Sequence, residues 1–119
     1  MRPAPVLPDI VRQHAEMAAF LWISYDHHLQ HPDENPEMDE ERVARLIERL
    51  EAHLDGLRIA GTDGLEIAKD RYAECCEVGE LFVLRMLLYD QSIPVRALNS
   101  ERVRAYLLAQ AGLPIDELS

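Results

Sequence analysis

Lysine is almost missing from this sequence. Lys69 is the sole lysine among 12 basic residues, the rest being arginine, and they face 22 acidic ones for a formal net charge of -10. A surface of that sign repels phosphate backbones, and no stretch supplies the basic face that releases counterions from nucleic acid, so nucleic-acid binding is not expected. Anionic membranes are disfavoured for the same reason. A cationic protein surface would be attracted and steered instead.

Cysteine is nearly as scarce. Cys75 and Cys76 are adjacent, and a bridge between sequence neighbours strains the peptide joining them, so a disulfide framework is excluded and a reducing compartment fits best. The pair reads as one buried small hydrophobe and one half-exposed neighbour. Long hydrophobic runs are lacking too. The longest, Met17 to Ile23, falls far short of the roughly 20 residues that cross a bilayer. Arg2, Pro3 and Pro5 at the start do not make a secretory signal, so the expected location is the cytoplasm.

Also absent are a phosphate-binding glycine loop, a nucleophile elbow and a kinase signature. With nothing to place a nucleophile against a base or to hold a cofactor, the expectation is a non-enzyme without cofactor. No segment alternates apolar and polar residues with β-branched enrichment, which removes strands from consideration.

What is present is helical periodicity. The spacing predicts helices over 8–30, 39–60, 64–76, 80–90 and 100–111, after an extended tail over 1–7, in a single domain spanning 1–119. The fold class is therefore all-α: a small bundle of five antiparallel helices, or four if the third and fourth fuse. Pro8 suits a first helical position, and Pro32 with Asn35-Pro36 forbids continuation of the first helix. Asp39 is placed to cap the second, where Val43, Leu46, Ile47, Leu50, Leu54 and Leu57 repeat at helical spacing. Gly56 weakens that helix or admits a close neighbour. Gly61 ends it, Asp63 and Glu66 suggest a capping box for the third, and Gly79 suggests a pause before the fourth. Asn99 or Ser100 starts the last, which Gly112 and Pro114 close.

Both the first and fourth helices are apolar nearly all round, and a domain of this size has one central position. Part of that surface is expected to be covered by a partner chain, by a second copy in a homo-oligomer, or by further helical repeats. Phe82 and Leu88 of the fourth helix are the candidate apolar anchors.

Two polar clusters invite a chemical reading. Between Asp26 and Glu41 lie Asp33, Glu34, Glu37, Asp39 and Glu40 without a lysine or arginine. Asp33, Glu34 and Glu37 are the candidate docking residues for a basic partner, against the plainer reading of a solvated loop. Asp33, Asn35, Glu37 and Asp39 also mimic the spacing of a calcium loop, but Met38 stands where that loop needs glycine and Ala44 where it needs a bidentate glutamate. His27 and His31, four apart, project from one helix face as metal-binding pairs do. Without a His-Glu-x-x-His motif or a known third ligand, they read as solvated histidines at a helix end, and no metal is expected. A metal-dependent enzyme built on His27 and His31 is the minority alternative.

His14 through Leu21-Trp22, and Ala52-His53-Leu54-Asp55-Gly56-Leu57-Arg58-Ile59-Ala60-Gly61, carry a resemblance. They resemble the amino-terminal region of a bacterial family of uncharacterised HEAT-repeat proteins whose genes often lie near type VI secretion components. The likeness spans roughly residues 6 to 90. It implies the start of a HEAT-like helical array, and a role as adaptor or chaperone for a secreted effector, or as an immunity protein that caps a toxin. Members of that family continue into paired helices whereas this sequence stops at Ser119, so a full repeat scaffold does not follow. No active-site residues come with the resemblance.

Overall fold

Helix ends are set by the residues at their caps. A computed structural model describes residues 7–89 and 93–118; nearly all of the expected tail over 1–7, and position 90 of the helix expected over 80–90, fall outside them, while that helix itself ends at Leu88 with Tyr89 extended. Helix α1, Pro8–Gln30, begins with proline in its first turn and Asp9 beside the helix dipole. The Asp39 carboxylate accepts the Arg42 backbone N–H at 2.9 Å and starts α2, Glu40–Ile59. Gly61, at φ +62, turns the chain directly into α3, Thr62–Cys75. Helix α4, Val78–Leu88, is followed by a 3₁₀ turn at Val95–Ala97 and by α5, Ser100–Gln110, which the Asn99 side chain caps through the Arg102 N–H. A second 3₁₀ turn, Ile115–Glu117, comes last. Among the described residues there are five α-helices and no strand.

Two junctions differ from the sequence reading. The expected box of Asp63 and Glu66 does not form, because α3 starts two residues earlier with Gly61 at its cap and no side-chain cap bond. The break between α3 and α4 falls at Cys76 rather than at Gly79. Cys76 takes the left-handed conformation, φ 53, and returns its N–H to Tyr72 O. Neither cysteine is fully buried and both are free, so the pairing of one buried with one half-exposed cysteine is not what forms. Gly79 lies inside α4, where a Cβ would stand 3.1 Å from Ala19 O and from Ile23 Cγ1. Glycine serves there as a close approach between α4 and α1, not as a helix stop.

The core forms where α1, α2 and α4 meet. Leu50, Leu54 and Leu57 of α2 are wholly buried, each contributing about 2 kcal/mol. Trp22 of α1 packs against Phe82 of α4, with ring centroids 4.8 Å apart. Helix α4 wins the central position: it packs against α1, α2, α3 and α5 and buries Leu81, Phe82, Val83, Leu84 and Met86. Helix α1 is left with Phe20, Ile23 and Leu29 exposed. The competition read from the sequence is thus settled in favour of the shorter and more uniformly apolar helix. No described helix is long and apolar enough to cross a membrane.

Candidate functional site

Helix α5 is nearly unamphipathic, and only Leu107 is buried along it. It therefore leans on α4 along a narrow line and leaves a cleft beside it. That cleft holds about 230 Å³ between Phe82 and Met86 on one wall and Leu98, Val103 and Leu107 on the other. Tyr89, Tyr106, Arg85 and Arg102 complete it. The Arg85 guanidinium lies 5.3 Å from the Tyr106 ring centroid, in cation–π range. No carboxylate pairs with Arg85 or Arg102 among the described residues.

The two proposed anchors separate here. Leu88 is 44% exposed at the end of α4, next to Tyr89 of the cleft. Phe82 is 1% exposed, so the expectation that the free domain leaves it uncovered is corrected. Packing of α4 on every side draws Phe82 under Trp22, and it forms the floor of the cleft rather than an open anchor.

Asp33, Glu34 and Glu37 are all exposed, in the loop between α1 and α2. Their surroundings carry less bare charge than the sequence suggests. Glu34 Oε2 stands 3.0 Å from His27 Nε2, Glu37 lies 3.6 Å from Arg42, Glu41 pairs with Arg45, and Asp39 is occupied as a helix cap. Asp33 and Glu40 have no cationic partner among the described residues. Asn35 Oδ1 accepts the Glu37 N–H at 3.1 Å, which fixes the loop's turn.

Asp26, which opens this acidic stretch in sequence, belongs to the interior. It is 8% exposed and pairs with Arg104 of α5, whose Nη2 lies 2.6 Å from Oδ1. Gln30 donates to its other oxygen at 2.9 Å. The hydrogen bond that Arg104 donates to Asp26 holds its guanidinium above the usual arginine range. A signal for this pair existed in the sequence: Asp26 continues the buried line of Ala15, Ala19 and Trp22, and a carboxylate on a buried helix face requires a cation.

No family model, curated protein or solved structure matches the chain.

Four of the five histidines form two pairs. His27 and His31 come together at the end of α1, their ring centroids 4.7 Å apart. His14 and His53 pair elsewhere, between α1 and α2, with Nδ1 atoms 2.9 Å apart. Gly56 makes that approach possible, because a Cβ there would stand 2.8 Å from the His14 ring. Burial, then the electrostatic influence of the neighbouring His14 and of Arg49, lowers the His53 pKa below its ordinary value. On α3, burial pushes the Tyr72 hydroxyl up, and that hydroxyl donates to Leu113 O at 2.5 Å, tying the segment after α5 to the core.

Proposed function

We propose that this domain is a non-catalytic protein-interaction module that seats an apolar anchor of a partner protein in the cleft between α4 and α5. The make-up of the cleft supports the reading. Aromatic residues, methionine and arginine are the types enriched at interface centres, and Tyr89, Tyr106, Met86, Arg85 and Arg102 gather there around an apolar floor. Its volume of about 230 Å³ is below the roughly 300–1,000 Å³ of small-molecule pockets and suits one or two side chains.

The net charge of -10 and the exposed Asp33, Glu34 and Glu37 favour a partner with a basic surface. That attraction speeds encounter, while the apolar anchor sets the lifetime of the complex. The sequence resemblance suggests what the partner is: a secreted effector of a type VI system, with this chain as its adaptor or chaperone. The acidic loop also supports an immunity protein covering the basic cleft of a toxin.

The two roles separate once the partner is isolated from the native cell. An adaptor leaves the partner's activity intact at saturation, and an immunity protein abolishes it. In either role, the double variant Leu88→Ala/Tyr89→Ala should dissociate about tenfold faster, the loss of about 1.4 kcal/mol expected from removing interface side chains. A parental dissociation rate in that variant, with its melt unchanged, would remove the cleft from the binding surface.

A further inference from the structure

Two histidines one helical turn apart hold their rings over the same strip of surface, and the loop that follows α1 adds a third donor to them. His31 is the C-cap of α1 and sits over His27, with ring centroids 4.7 Å apart. The chain then folds straight back. Glu34 donates its backbone N–H to His31 O at 3.2 Å, and this turn carries Glu34 Oε2 to 3.0 Å from His27 Nε2. One donor atom from each of the three residues lies within 4.8 Å of the other two.

We propose that His27, His31 and Glu34 bind a divalent transition metal of the zinc class, with water in the fourth position, and that the ion clips the end of α1 to the loop leading into α2. The donor set is the first reason. Two imidazoles and one carboxylate around an open position are a recurring zinc arrangement, whereas calcium needs six or more oxygens and magnesium prefers oxygen ligands and water. Distance is the second. Donors arranged tetrahedrally at about 2.1 Å from zinc stand about 3.4 Å from each other. The His27–Glu34 pair, at 3.0 Å, lies within about 0.4 Å of that spacing, and the exposed His31 ring needs a side-chain adjustment to complete it.

The frame is also built in advance. Backbone bonds from His31 to His27 O, and from Glu34 to His31 O, join the donors to one another, and Asn35 fixes the following turn. Little chain entropy remains to be lost on binding. Without metal, the same His27 Nε2 and Glu34 Oε2 atoms already face each other at 3.0 Å. The third ligand that the sequence leaves unidentified is therefore Glu34, which the loop's return supplies.

The test is titration of the purified chain with zinc after chelator treatment, followed by calorimetry, by thermal melting and by X-ray absorption at the metal edge. One equivalent should bind, and the melting temperature should rise by at least about 5 °C at saturation. Both effects should vanish in His31→Ala, which leaves the His27–Glu34 pair in place, and weaken strongly in Glu34→Gln. Magnesium should do neither. The absorption spectrum should report imidazole nitrogen and oxygen only. Absence of zinc binding, binding to His31→Ala as tight as to the parent, or sulfur from Cys75 or Cys76 in the metal's shell would each overturn the site.

Discussion

Arg104 of α5 donates through Nε to both oxygens of the Asp26 carboxylate on α1, at 2.8 Å and 3.1 Å, across 78 positions of sequence. Because α5 buries only Leu107 of its own, this pair sets its angle, and with it the outer wall of the cleft. Removing Arg104 leaves a mostly buried carboxylate unpaired. Arg104→Ala should lose about 2 kcal/mol, below the cost of breaking a fully buried pair because the edge of this one still touches water. Urea unfolding of the variant measures this, and an unchanged midpoint would mean that the pair does not hold α5.

The His14–His53 contact gives stability a direction with pH. The folded pKa of His53 lies below the ordinary 6.5, so above that pH both folded and unfolded chains carry it neutral and its contribution is complete. As pH falls below it, the unfolded chain takes up a proton that the folded one resists, and stability declines. Between pH 7 and pH 5, about the range where histidine titrates, the parent should lose more melting temperature than His53→Gln, which keeps a hydrogen-bonding group toward His14. Parallel curves for the two proteins would deny His53 that role.

Close packing of α2 on α3 rests on the lack of a side chain at Gly64, where a Cβ would stand 2.1 Å from Leu57 O. Backbone cannot swing aside as a side chain can. Gly64→Ala should cost about 2–3 kcal/mol despite alanine's better helix propensity. Gly61→Ala, with nothing within 4 Å but a φ of +62, should cost about 1–2 kcal/mol through backbone strain alone. Thermal melts compare them; a Gly64→Ala protein as stable as its parent would contradict the observed approach of the two helices.

The acidic loop should act on encounter and not on folding. Exchanging Asp33→Asn, Glu34→Gln and Glu37→Gln together, with chelator present, should slow association with a basic partner about threefold at low salt and flatten its salt dependence. Melting should stay within about 0.5 kcal/mol of the parent, as for other exposed substitutions. Association at the parental rate at low salt would reduce the loop to a solvated surface.

Helical fold class was legible from periodicity and caps: the leucine line of α2, Asp39 and Asn99 all act as the residue types suggest. Gly56 also serves the close contact its position invites, although nothing in the sequence names His14 as the neighbour. The junction at Cys76 was not legible, because a left-handed cysteine has no compositional mark and Gly79, three residues on, offers a stronger but misleading one. The cleft was hidden for a related reason. Phe82 and Leu88 look alike in a helix apolar on every face, and only the placement of α1 over Phe82 decides which is covered. Glu34 joined the two histidines through a turn whose geometry spacing alone does not fix, and Asp26 left the acidic run for the interior because its partner lies on the last helix.

Placing a photo-reactive amino acid at one surface position at a time in the native cell tests the interaction module most directly. Position 102, where Arg102 is exposed on the wall of the cleft, should cross-link one defined protein. Position 52, where Ala52 is exposed on α2, should not. The cross-link from position 102 should also fade when Leu88→Ala and Tyr89→Ala are added. Cross-links to the same protein from both positions, or from position 52 alone, would contradict a partner seated between α4 and α5.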